Sequence, residues 1–292
     1  MLVTIVCGPT ASGKTNFAHR LAQRENGEVI CIDSMQLYRA LPILTASPEQ
    51  GFRAEIPYHL YNILEPHESS CMTSYLRLAV DKITQCINND KKPILVGGTG
   101  LYINALITGY SAIPEIDPEI RKMVRKEYDT IGHEAFIKKL YKIDANASMH
   151  LDKYRAIRAM EVVLSTNQSI TTFHNNKVPP LPTMRYSIQY ICPDKDSLMR
   201  NISMRFNKML LLDVIQEVED AIKSHPNFMH SNLAQAIGVK QIWHYLNAQC
   251  SWEGMTEQIQ IKTWQYAKRQ RTWFKKMIEN LSVITNTQVI VN

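Results

Sequence analysis

The first fifteen residues constrain the fold more than any other stretch. An apolar run over residues 2–7 (LVTIVC) reads as a buried parallel strand and leads straight into Gly8-Pro9-Thr10-Ala11-Ser12-Gly13-Lys14-Thr15. That octet fits G-x-x-x-x-G-K-[ST] at every defined position, and residues 16–23 continue it as a helix. The glycines let the backbone turn tightly enough for several N–H groups to face one oxyanion. The helix that follows adds the positive end of its dipole. Lys14 brings a cation to the phosphates, and the Thr15 hydroxyl suits a phosphate-bound Mg²⁺. Strand, loop and helix together imply a phosphate- or diphosphate-binding site within an α/β sheet. The loop alone leaves the chemistry open, because it serves hydrolysis, phosphoryl transfer and other reactions.

The 292 residues are enough for one large domain or a core with a smaller unit. Hydrophobic residues make up 45% and charged residues 21%, an ordinary globular balance. The net charge of +6 permits a polyanionic partner without requiring one, so the placement of the basic residues decides. The six cysteines show no C-x-x-C or other metal spacing, and three lie in strand-like apolar runs. They read mostly as buried thiols of a reducing compartment. The N-terminus enters a core strand at once, without the charged region of a signal peptide. No apolar run approaches the ~18 residues of a membrane span. A cytoplasmic protein with no membrane partner is expected.

Further along, residues 28–32 read as a second strand ending in Asp33-Ser34-Met35-Gln36. A carboxylate at the carboxyl tip of a strand lies where α/β folds bind ligands, although Asp also caps turns. Residues 41–72 are loop-rich. A helix follows over 73–88, with Leu76, Val80, Ile83 and Ile87 at helical spacing. A third strand over 92–96 runs into a second glycine turn, Gly97-Gly98-Thr99-Gly100. After Gly109 the pattern changes. Asp117-Pro118 is an N-cap followed by proline at the first helical position, and helices are expected over 118–131, 133–143 and 152–165. This stretch is rich in Lys and Arg and shows no strand, so residues 114–181 read as an all-helical insertion into a core formed by 1–113 and 182–292. A strand returns at 186–192. Helices then cover 195–223, 231–247 and 256–280. In the last of these, six Lys and Arg interleave with Trp264, Tyr266, Trp273 and Phe274. With the basic insertion, this points to a surface for nucleic-acid backbone.

GPTASGKT (8–15), DSMQLY (33–38), PILVGGTGLYI (93–103), IPEIDPEIR (113–121), RAMEV (158–162), RFxxML (205–210) and AKRQxTW (267–273) occur in that order. Together they resemble the tRNA dimethylallyltransferases over nearly the whole chain. The resemblance implies a P-loop nucleoside-triphosphate-hydrolase-like parallel sheet with a helical insertion domain. It implies transfer of a dimethylallyl group from dimethylallyl diphosphate to N6 of the adenine 3′ of the tRNA anticodon, with Mg²⁺. Lys14, Thr15 and Arg205 (or Arg200) would stabilise the diphosphate, and Asp33 would take the proton. Asp33, Ser34, Met35 and Gln36 match the base-reading segment, and Thr99 and Arg121 match positions that touch tRNA near the target. Tyr154, Arg155, Arg158, Lys240, Lys268 and Arg269 complete the expected tRNA surface around the anticodon stem-loop, and a monomer is expected. The long members of the family carry a C-terminal zinc finger, a pattern this sequence does not contain.

The sequence departs from the family pattern at Leu44 (for Gly), Ser47 (for Lys), Val239 (for Tyr), Trp264 (for Arg) and Asp213 (for Gly), which are expected to face or support the tRNA. From the residues alone, a small-molecule or nucleotide kinase with Asp33 acting on a hydroxyl is the second reading. A non-catalytic RNA-binding NTPase is a third, disfavoured because no D-E-x-x segment is evident.

Overall fold

The computed structural model describes residues 1–281 and 287–291. The chain forms two compact units, one of residues 1–107 and 183–292, the other of residues 108–182. In the larger unit the order is β1 (Leu2–Cys7), α1 (Lys14–Glu25), β2 (Gly27–Cys31), α2 (Gln50–Glu55), β3 (Tyr58–His59), α3 (Met72–Asn88), β4 (Lys92–Gly97) and α4 (Gly100–Thr108). The smaller unit holds β5 (Tyr110–Ser111), α5 (Pro118–Ile131), α6 (His133–Ile143), α7 (Lys153–Thr166), α8 (Ile170–Asn175) and β6 (Lys177–Val178). The chain then returns through β7 (Arg185–Tyr190), α9 (Lys195–Leu211), α10 (Val214–Ser224), α11 (Val239–Leu246), α12 (Trp252–Leu281) and β8 (Thr287–Val291).

Among the described residues, six parallel strands form one sheet in the order β3-β2-β4-β1-β7-β8. β1 and β4 are each buried after their first residue, because helices cover both faces of a parallel sheet. That is why both read as unbroken apolar runs instead of alternating ones. Register pairs Cys7 with Gly97 on one side and with Tyr190 on the other. The loops after β1, β2 and β4 therefore leave the sheet side by side at its carboxyl edge, where open α/β sheets bind ligands.

The smaller unit packs α5, α6 and α7 around Val124, Phe136, Leu140, Ala156 and Met160, all fully buried. Asp117 caps α5 by accepting from the Glu119 N–H, and Pro118 takes the first turn, as the sequence indicates. Two features differ from the expectation. The unit begins before Pro114, at Thr108, and it is not wholly helical: β5 and β6 pair as an antiparallel ribbon, Tyr110 with Val178 and Ser111 with Lys177. Two-residue strands are too short to print a period-2 pattern.

Three other expectations are corrected. The helix foreseen over 195–223 breaks at Asp213, whose φ of 59° is left-handed. Glycine, which the family pattern places there, adopts that conformation without cost. The helix foreseen over 231–247 shortens to α11, preceded by two 3-10 turns and by Gly238 at φ 113°. The strand β8 joins the sheet beside β7, in a C-terminal region expected to be mostly helical and without any strand foreseen there. Of the cysteines, Cys7, Cys31 and Cys86 are buried, whereas Cys71 is exposed. No helix among the described residues is long and apolar enough to cross a membrane.

Candidate active site

The loop after β1 adopts the conformation its glycines permit. Gly8 has φ 152°, and a Cβ there would stand 2.2 Å from the Ile191 carbonyl oxygen, so only glycine lets the loop leave the sheet beside β7. Gly13, at φ 87°, caps α1. The Ser12 N–H donates to the Pro9 carbonyl (3.3 Å), and so does Lys14 Nζ (2.7 Å). Two distant helices fasten the loop from behind: Asn201 of α9 donates to the Ala11 carbonyl (3.1 Å), and Gln270 of α12 accepts from the Thr10 N–H (2.7 Å). The Ser12 hydroxyl is buried and has no hydrogen-bond partner among the described residues. A buried polar atom of that kind is costly unless something accepts or donates to it.

A cavity of about 460 Å³ opens beside this loop. Residues 10–16 line it together with Asp33, Ser34, Met35, Gln36 and Arg205. Apolar side chains of Ile202, Phe206, Met209, Ile237 and Ile259 line it too, and α12 adds polar ones, among them Tyr266, Arg269 and Gln270. Three ionisable groups interact across it. Burial lowers Lys14 to a pKa of about 8, opposed by the Asp33 charge and reinforced by Arg205. Burial also lowers Arg205 to about 10, again opposed by Asp33. Two cations share one carboxylate in a desolvated space, an arrangement that favours an incoming polyanion. Asp33 Oδ1 accepts from the Met35 N–H (3.1 Å).

The structure brings together part of the residues the sequence singles out. Thr10 to Thr15, Asp33 to Gln36, Arg205 and Arg269 line the cavity. Gly8 and Pro9 are buried beneath the loop and shape it without lining the cavity. The Thr10 N–H is committed to Gln270 and does not point at a ligand. Arg200 is exposed and donates to Ser197 Oγ (2.9 Å), so Arg205 is the arginine beside Lys14. The amide nitrogen of Gln36 is spent on the carbonyls of Thr45 (2.9 Å) and Ala46 (2.8 Å), which removes it as a donor to a base. Thr99 does not line the cavity; its hydroxyl accepts from the Ser34 N–H (3.0 Å) and so fixes that segment. Lys240 and Lys268 are exposed on α11 and α12 and do not line the cavity.

Arg121, Tyr154, Arg155 and Arg158 belong to the smaller unit. Tyr154 is fully extended into solvent at 82% exposure. Arg158 and Arg125 both pair with the buried Glu161, Arg155 pairs with Asp152, Lys153 with Asp129 and Lys139 with Glu127. Much of the positive charge that the sequence displays here is thus opposed locally, by acids whose positions the sequence alone does not reveal. Lys122, Lys126, Lys138 and Lys142 make no ion pair among the described residues.

The departures from the family pattern prove to be packing positions more than exposed ones. Leu44 is nearly buried, its side chain pressed on Gly238, and the neighbouring Val239 is fully buried. Ser47 donates to Asn62 Oδ1 (2.9 Å), and Trp264 packs against the cluster of Leu198, Ile202 and Ala267. Sequence reasoning missed Asn201, Gln270 and Glu217, and assigned Tyr266, which lines the cavity, to an outer nucleic-acid surface. Glu217 of α10 accepts from the Ile43 and Leu44 N–H groups (2.7 and 2.9 Å), and burial raises its pKa. Gln270 lies inside the AKRQxTW stretch, which was the available signal; Asn201 and Glu217 carried none. Glu28, His59 and Cys86 bring ligand atoms within 4.8 Å of one another, but mutual hydrogen bonds of 2.7 and 3.4 Å already account for their approach.

Comparison with known proteins agrees with this architecture. The family model described as IPP transferase matches residues 36–277, and that described as Isopentenyl transferase matches residues 1–52. A tRNA dimethylallyltransferase from Rickettsia massiliae is 41% identical over 95% of this chain and 77% of its own length. The crystal structure of the full-length tRNA isopentenylpyrophosphate transferase from Bacillus halodurans is 32% identical, with a TM-score of 0.67 over 99% of this chain and 89% of that one. A eukaryotic dimethylallyltransferase acting on tRNA shares the fold, with a TM-score of 0.83 at 23% identity over 99% of this chain and 73% of that one. A P-loop sheet of this topology, the shared motifs and the extent of these matches lead to one assignment: the chain belongs to the tRNA dimethylallyltransferase family.

Proposed function

We propose that the protein transfers a dimethylallyl group from dimethylallyl diphosphate to N6 of the adenine 3′-adjacent to the anticodon of tRNA, releasing diphosphate. The observation that carries this reading is the shared cavity, in which Lys14 and Arg205 interact with Asp33 beside the phosphate loop. Family membership supports prenyl transfer and not the kinase reading. As the allylic C–O bond breaks, its electron pair leaves with the diphosphate. Lys14, Arg205 and the loop stabilise that growing negative charge, the kind of preorganised electrostatics that dominates many enzymes. The N6 lone pair forms the new C–N bond, and Asp33 accepts the proton that N6 then sheds. The Met35 N–H holds one oxygen of Asp33 and leaves the other to act. Apolar side chains such as Phe206 and Met209 suit the five-carbon chain. The base must leave its stack to reach Asp33.

Mg²⁺ fits the donor set. The Thr15 hydroxyl at the start of α1 and the unpartnered Ser12 hydroxyl are hard oxygen donors of the type Mg²⁺ takes alongside substrate phosphates. When bound it would neutralise diphosphate charge.

Incubation with dimethylallyl diphosphate labelled in the prenyl group, or with labelled ATP, in the presence of bulk tRNA tests the reaction. Prenyl label in RNA is the expected result, and phosphate transfer from ATP would restore the kinase reading.

The depressed pKa of Lys14 gives a pH signature. In the free protein Lys14 loses its proton as pH rises through about 8. A bound diphosphate favours the ammonium and holds the proton. Donor affinity therefore falls above that pH, approaching tenfold per pH unit. Calorimetry in buffers of different ionisation enthalpy should show proton uptake on binding above pH 8 and little near neutrality.

For the tRNA, cations of α12 and of the smaller unit, including the half-buried Arg121, are proposed to hold the anticodon stem-loop by its phosphates. Log affinity then falls linearly with log salt by roughly 0.7–0.9 per contact. Lys268→Ala or Arg121→Ala is expected to lower that slope by about one. Lys139→Ala, whose partner Glu127 already opposes it, leaves the slope unchanged.

A further inference from the structure

The buried face of α12 is apolar at Met255, Ile259, Ala267, Phe274, Met277 and Leu281, yet it includes Gln270, only 6% exposed. Neither general acid–base chemistry nor phosphate binding uses this side chain. Its two ends are both engaged. Oε1 accepts from the Thr10 N–H (2.7 Å), in the loop after β1. Nε2 donates to the Gly98 carbonyl (2.9 Å), in the turn after β4. The partners fix the orientation of the amide, because one is only a donor and the other only an acceptor. Gly98 must be glycine for this contact: a Cβ there would lie 2.4 Å from Gln270 Nε2 and 3.5 Å from Asp33 Oδ2. The next residue, Thr99, accepts from the Ser34 N–H, beside Asp33. A continuous path thus runs from the phosphate loop through Gln270, Gly98, Thr99 and Ser34 to the carboxylate.

We infer that Gln270 is a positioning residue, a two-ended latch that sets the diphosphate-binding loop and the Asp33 segment in one register, so that leaving group and proton acceptor are aligned together. The inference rests on the prenyl-transfer reading above. Gln270 lines the cavity, yet the hydrogen bonds it makes go to the backbone of the two turns and not to Asp33 or Lys14. Its contribution is the distance between them, and misplacement of about 1 Å in such a geometry costs on the order of 10²-fold in rate.

Two variants separate the ends of the latch. Gln270→Met is close in length and bonds to neither partner. Gln270→Glu still accepts from Thr10 but has no proton to give Gly98. Hydrogen exchange, followed by mass spectrometry on peptides covering 8–13 and 97–100, is compared with single-turnover transfer at saturating substrates. In Gln270→Met, exchange should rise in both peptides, and the rate should fall by about 10²-fold while each substrate binds within a few-fold of wild type. In Gln270→Glu, exchange should rise over 97–100 alone, with a smaller loss of rate. Unchanged exchange at both segments, an unaltered rate, or a general rise across the sheet would overturn the inference. Should wild-type protein transfer no prenyl group, the functional reading falls, and the exchange pattern still decides whether the latch exists.

Discussion

Lys14→Ala lowers single-turnover prenyl transfer by roughly three orders of magnitude. The side chain is half-buried in a cavity with Arg205 and Asp33, and desolvation there already pulls its pKa down to about 8. A desolvated ammonium in that setting is poorly matched to the empty site and well matched to a diphosphate, whose negative charge grows as the allylic bond ionises. Loss of a single preorganised donor to such a developing charge costs about 10²–10³ in rate, and a full cation in a low-dielectric site lies at or above the upper end of that range. Rapid-quench measurement with labelled donor reads the effect directly. The fold should survive, since among the described residues Lys14 Nζ donates to the Pro9 carbonyl alone. A rate within tenfold of wild type would show that the loop binds its ligand by backbone amides alone.

Asp33→Asn leaves both substrates bound within a few-fold and reduces the chemical step by about 10²–10⁴, the span of general-base catalysis. The substitution keeps the oxygen that accepts from the Met35 N–H, so the local turn should persist. What it removes is the group that receives the N6 proton. It also removes the charge that opposes the depression of Lys14 and Arg205. A second consequence therefore accompanies the first: in Asp33→Asn, the pH above which donor affinity declines should move below that of wild type. A variant that transfers at the normal rate but no longer holds tRNA would assign Asp33 to base recognition and leave proton transfer to another group.

The contrast between legible and hidden features follows from how each is encoded. The strand–loop–helix at 2–25 is local: an apolar run, glycines at fixed spacing and a helical continuation lie within one short stretch, so the sequence displays it. The carboxylate at the tip of β2 is legible for the same reason. Helices α5, α6 and α7 match the sequence pattern nearly to the residue because Asp117, Pro118 and Gly132 punctuate the first two and Asp152 caps the third. The break at Asp213 was hidden because aspartate is not a breaker; it tolerates a left-handed φ that glycine would have announced. The contacts that complete the site span the chain. Gln270 reaches Thr10 across 260 positions, Asn201 reaches Ala11 across 190, and Glu217 reaches Ile43 across 174. Periodicity and spacing carry no record of such pairs. The same blindness led the basic residues of the smaller unit to be counted as available charge, although Glu161, buried on α7, holds two of them. Leu44 and Val239 look in the sequence like lost surface contacts, yet both are buried, Leu44 against Gly238 and Val239 next to it.

Mass spectrometry of nucleosides tests the central claim most directly. A tRNA transcript whose anticodon is followed by adenine is incubated with the purified protein, dimethylallyl diphosphate and Mg²⁺, then digested to nucleosides and, in parallel, to mapped fragments. The account predicts one adenosine carrying a single dimethylallyl unit on N6, located 3′-adjacent to the anticodon, with one diphosphate released per transfer and none formed with Lys14→Ala. Modification scattered over other adenines, attachment at an atom other than N6, or diphosphate release without any modified nucleoside would contradict it.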